Sequence, residues 1–284
     1  MWDTEQTAMP RESARKMLQE MTGHERFSKN TEFILKLRKK ISVHSLSKNP
    51  TRSFMLRGGV DLEGIKKIHL EYRYAIVQPF TDALCAAQFR SYQLEDKGLC
   101  PPGGKLVPRF LLNLNCLDEF GFTPTCNDLK YYTGNPKYAH YPLFEEVMKK
   151  IGVNPSEYNK FIPSPEAQKA KELLLSSFEK FEEIITLLAV GEIQVILFSN
   201  ALKVNTIKKG VDVSQGYYQV HGTEALGETN AHDDDHEDDC WAILASAITE
   251  DDYKRIETLA MTYLDAWDNF WIKMKDKYAT PVQG

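Results

Sequence analysis

Apolar residues recur along this chain at three- and four-residue spacing, and the strict alternation of a half-buried strand is scarce. The pattern predicts a helix over residues 31–41, TEFILKLRKKI, with Thr31 as N-cap and Glu32 in the first turn. After a Pro and Gly break, residues 62–92 read as one long helix that Pro79 should kink. GLCPPGGK is the next loop and RFLLNLNCLDEFGF the next helix. The loop TPTCNDLKYYTGNPK then leads into YAHYPLFEEVMKKIGV, which Gly152 and Pro155 terminate. A long helix is expected from about Pro165 to Asn205, another begins near Tyr217, and the last covers about 251–278. In that last helix Tyr263, Trp267, Phe270 and Trp271 form a stripe at helical spacing, which reads as core packing. The prediction is an all-α fold of about seven helices, with residues 1–44 as an N-terminal extension carrying a helix and 45–280 as the main domain.

Composition narrows the function. A chain of 284 residues, 42% hydrophobic, can bury a sizeable core. A net charge of −5 argues against a nucleic-acid surface. The N-terminus has no apolar stretch of signal-peptide length, so the expectation is a cytoplasmic protein with neither nucleic-acid nor membrane partners. Five cysteines without a CxxC pair fit neither a disulfide framework nor a zinc ribbon, and are expected to be reduced and mostly buried.

Three groups of residues ask for more than packing. Glu192 is the sole ionisable side chain in IITLLAVGEIQVILF, residues 184–198, and its helical neighbours Leu188, Ala189, Val195 and Ile196 turn it toward the interior. A buried carboxylate needs a cation, a metal or a proton. His140 shares a face with Phe144, Val147 and Ile151, and Glu119 shares one with Leu112 and Cys116. NAHDDDHEDDCW, residues 230–241, holds two histidines and six carboxylates, and alone it reads as a solvated acidic loop. Yet His221, Glu228, His232 and His236 fall within about 60° of one face if a single helix runs through Gly222 and Gly227. Carboxylates and imidazoles projecting into a bundle are a recurring way to hold two irons or manganeses. Repulsion among the six carboxylates would then make the order of this stretch depend on the metal.

Four pieces in this order, FMLRGGVDLEGIKKIHLEYRYAIVQPF, NLNCLDEFGF with GNPKYAHYPLFEEVMKKIGV, LLAVGEIQVI, and YYQVHG leading to DDDHEDDCW, resemble the haem-oxygenase-like diiron oxidases and oxygenases. The resemblance spans about residues 45–275 and implies a haem-oxygenase-like bundle. It implies metal ligands at Glu119, His140 and Glu192, then a His-x3-Asp-x2-His set. For that set Asp233 and His236 are preferred, with His221 or His232 as the first histidine; an alternative register uses His232, His236 and Asp239. The same resemblance implies two Fe(II) per chain, or Mn, with O2 as co-substrate, a small amino-acid- or fatty-acid-type substrate, an external electron donor and a homodimer. The alternatives are a metal-free relative similar to quinone-cofactor synthases or thiaminases, and a non-catalytic binding protein.

Overall fold

The computed structural model describes residues 10–123, 133–220 and 232–279. In chain order the helices are α1 (Pro10–Thr22), α2 (His24–Ser42), α3 (Pro50–Leu56), α4 (Leu62–Tyr72), α5 (Gln78–Arg90), α6 (Gln93–Asp96), α7 (Leu106–Glu119), α8 (His140–Lys150), α9 (Pro155–Lys160), α10 (Pro165–Ser176), α11 (Phe181–Lys208), α12 (Tyr217–Val220), α13 (His232–Ala247) and α14 (Tyr253–Tyr278). The fold is all-α as the periodicity predicts. Twelve of these helices have six or more residues, against the seven or so expected, because turns subdivide segments whose apolar pattern runs on.

Two of those turns are informative. Within the segment 62–92 the α-helical pattern is interrupted just before Pro79, by a π-helical turn over Arg73–Val77 closed by the Gln78 N–H on the Arg73 carbonyl. Proline offers no N–H to the carbonyl four residues back, and a widened turn absorbs the mismatch. The segment 165–205 breaks at a 3₁₀ turn, Ser177–Glu179, before α11 begins at Phe181. Thr31 is not an N-cap: α2 begins after Gly23, and the Thr31 hydroxyl donates to the Phe27 carbonyl within the helix.

The core is organised around α11, which packs on α3, α5, α13 and α14. It is long and apolar enough to cross a membrane, but 78% of its apolar window is buried in the bundle, as in the core helix of a soluble protein. The aromatic stripe of α14 packs inward as predicted, with Tyr263, Trp267, Phe270 and Trp271 all fully buried and Trp271 stacked on Phe198 of α11 at 4.1 Å. The N-terminal helices lie against the same core. α1 contacts α7 and α13, and α2 contributes Asn30, whose amide donates to the carbonyls of Ala245 and Ile248 at the end of α13. Four cysteines are described, all free; Cys116 and Cys240 are buried, Cys100 is half-buried and Cys85 is exposed.

Candidate metal centre

Glu119 is the last residue of α7, and the chain must reverse immediately to bring His140 back to it. Gly121 makes this possible. It sits at φ 79°, and a side chain there would lie 2.5 Å from the Ala139 nitrogen and 2.7 Å from the Asn135 carbonyl oxygen. Residues 122–123 then pair antiparallel with 133–134, Phe122 opposite Gly134. The returning chain starts α8 at His140, whose Nδ1 lies 2.8 Å from Oε1 of Glu119, with both side chains buried. The predicted apolar face of α8 is buried as well, at Phe144, Val147 and Ile151.

Glu192 is buried mid-way along α11, 2% exposed. Glu119, His140 and Glu192 line one small cavity together with Ile76 and Val77 of the π turn, Phe80, Tyr141, Val195 and Tyr217. Its volume is about 20 Å³, room for a single water-sized species. Tyr217 stays protonated there: burial first, then Tyr72, Tyr218 and the Glu119 carboxylate, push its phenol well above the usual value. A roomier, open groove of about 700 Å³ between α5 and α7 is lined by Cys85, Phe89, Arg109 and Cys116 among others, but by none of the acids or imidazoles above. Convergent polar groups mark the small cavity as the better site.

His236, on α13, completes the picture. It is 1% exposed; Nδ1 lies 3.9 Å from Oε1 of Glu192, and Nε2 lies 2.9 Å from Oδ2 of Asp118. An ionised carboxylate only accepts, so Nε2–H is the donor to Asp118, and Nδ1 is the nitrogen turned toward Glu192. Histidines that ligate metals are held in this way, their second nitrogen donating to a carboxylate. Asp118 escaped the sequence reading although it adjoins Glu119, because its role appears only when α7 and α13 are side by side.

The remaining third-helix candidates divide. α13 starts at His232, but the side chains of His232 and Asp233, and all of His221 and Glu228, lie outside the described residues. Asp239, the acid of the alternative register, is taken up elsewhere: both its oxygens are held by arginines of α1, Arg11 and Arg15. Burial raises its pKa and those two guanidiniums pull it back.

The donors fit a hard divalent cation in kind: two carboxylates and the His140 imidazole line the cavity, and the His236 imidazole approaches Glu192 from α13. The thiols do not compete, since burial pushes Cys116 up to about 12 and Cys240 well above the ordinary thiol value. In position the fit requires movement. Glu119 and His140 are bonded to each other, and among the described residues no three His, Cys, Asp or Glu side chains converge closely enough to hold an ion as they stand.

No protein-family model and no curated protein matches the sequence. The fold is similar to that of a CADD-like protein of unknown function from Nostoc punctiforme, in two solved structures. One is 14% identical, with 89% of this chain and all of that one covered and a TM-score of 0.62. The other is 14% identical, with 88% and 96% covered and a TM-score of 0.55. At this identity the likeness is one of fold.

Proposed function

We propose that this protein is a cytoplasmic, O2-activating non-haem diiron oxygenase or oxidase, acting on a small organic molecule of amino-acid or fatty-acid type. One observation carries the reading: a buried imidazole, His236, whose far nitrogen donates to Asp118 while its near nitrogen faces the buried Glu192. Glu119, His140, Glu192 and His236 would hold the metal, joined by His221, His232 or Asp233 from the third-helix region. When bound, two ferrous ions, with manganese as the alternative occupant, would supply the electrons that activate O2.

The chain's own residues set the conditions for that chemistry. Ile76, Val77, Phe80 and Val195 exclude bulk water from the carboxylates, which raises the cost of leaving them without a cation. Tyr217, hydrogen-bonded to Tyr72, carries a phenol that keeps its proton, so it cannot bind as phenolate unaided. The cavity holds a water-sized species, so an organic substrate has to enter by displacing side chains of its wall. With Nδ1 of His140 turned to Glu119, His140 would ligate through Nε2, and that same hydrogen bond also supports the second reading, a metal-free member of the fold in which the two residues satisfy each other.

Iron counted per chain after anaerobic Fe(II) reconstitution separates the two. Two irons per wild-type chain are expected, and none in Glu192→Ala, with helical content near wild type because the buried charge leaves with its cation. Metal-free wild-type protein under these conditions, or unchanged iron in the variant, would overturn the diiron reading.

A further inference from the structure

The acidic start of α13 presents a physical problem that the structure answers with residues from the N-terminus. In a helix, Asp235 lies one turn from Asp238 and Asp239, and like charges at these spacings repel. Asp239 is also 3% exposed, so its charge is nearly out of reach of water. The opposing charge comes from α1 and α2. Arg15 Nε donates to Asp239 Oδ1 at 2.7 Å, and its Nη2 reaches the Asp235 carbonyl at 3.2 Å. Arg11 holds the other Asp239 oxygen and lies 4.0 Å from the Asp235 carboxylate. Arg38 of α2 pairs with Glu237 at 3.1 Å and with Asp238 at 3.0 Å.

Arg11 does one thing more. Its Nη2 lies 3.8 Å from Oδ2 of Asp118, the same oxygen that receives the His236 Nε2 proton. A single side chain of α1 thus touches α7 next to Glu119 and α13 next to His236. We propose that Arg11 and Arg15 are positioning residues: they clamp the start of α13 onto α7 through Asp239 and Asp118, and so aim the His236 imidazole at Glu192. The clamp does not depend on iron; only the purpose of aiming His236 rests on the diiron reading. The first helix is therefore a working part of the site, and its cations occupy the charges that a metal would otherwise have to offset for α13 to form.

The experiment uses the full chain, metal-free and then titrated with Co(II), comparing wild type, Arg11→Ala/Arg15→Ala, and the same pair combined with Asp239→Asn. Hydrogen exchange over 235–240 should be slow in wild type and rise by about 100-fold in the double variant, because Asp239 is left buried without its partners. Adding Asp239→Asn removes that charge and should return most of the protection. It should not restore the aim of His236. In 15N NMR the His236 ring should report one Nε2-protonated tautomer in wild type and a mixture in both variants, and Co(II) should bind both variants at least about 10-fold more weakly. Unchanged exchange in the double variant overturns the clamp. Recovery of the wild-type tautomer in the triple variant overturns the positioning role and leaves a structural one. If wild type takes up no Co(II) while the exchange and NMR results hold, the clamp stands and the metal-centre reading falls.

Discussion

Asp118→Asn isolates one hydrogen bond on which the reading of His236 depends. The substitution keeps size and removes charge from the acceptor 2.9 Å from Nε2 of His236. A hydrogen bond to an ionised group contributes about 1.5–3 kcal/mol and a neutral one about 1 kcal/mol, so the change weakens the preference for the Nδ1-free tautomer by about 0.5–2 kcal/mol. The Asp118 side chain is 23% exposed and also near Arg11, and partial screening places the effect toward the middle of that range. At 1.36 kcal/mol per factor of ten, metal affinity should fall about 5- to 10-fold, the lower edge of what losing such a partner costs. The assay is anaerobic calorimetric titration of Mn(II) into metal-free protein, with urea unfolding as a control for global damage. Affinity within about twofold of wild type would refute the idea that Asp118 holds the ligand tautomer. A loss as complete as in Glu192→Ala would make Asp118 a ligand itself.

His69 is fully buried between the Ile65 carbonyl and the Tyr218 hydroxyl, and burial lowers its pKa to about 4 from 6.5. The unfolded chain therefore takes up a proton on His69 between those values while the folded one does not. Stability is complete above pH 6.5 and falls by about 3 kcal/mol as the pH drops to about 4, and urea unfolding of His69→Gln at pH 7 and 4.5 should lack this component. Gly64→Ala would set a methyl group 2.6 Å from Val60 Cγ1 and 2.9 Å from the Tyr278 carbonyl oxygen. Overpacking of about 1–3 kcal/mol against a helix-propensity gain of about 1 kcal/mol predicts net destabilisation, read as a lower urea midpoint with unchanged slope.

What could be read from the sequence was local in origin. The all-α class, the inward faces of Glu192 and His140, and the burial of Trp267 and Trp271 all follow from 3.6-residue periodicity, which a chain carries in any window of a dozen residues. Breaks within that periodicity were harder to place: Pro79 marked a bend, but the π turn that accommodates it lies upstream, where the side-chain pattern is uninterrupted. The meeting of Glu119 with His140 turned on the positive φ of Gly121, a residue that the expected helix RFLLNLNCLDEFGF had included.

The tertiary structure alone decided what each charge is for. Within the twelve residues of NAHDDDHEDDCW nothing distinguishes Asp239 from its neighbours, yet packing of α1 across α13 gives it two arginines from more than 220 positions away. The same packing gives His236 the carboxylate of Asp118, 118 positions distant, and leaves its other nitrogen toward Glu192. Side-chain spacing sets which residues face inward, because helical geometry is covalently local; it carries no information about which inward faces meet. That is settled by the packing of whole helices, and here it separates a carboxylate held by arginines from Glu119, His140 and Glu192 around the cavity.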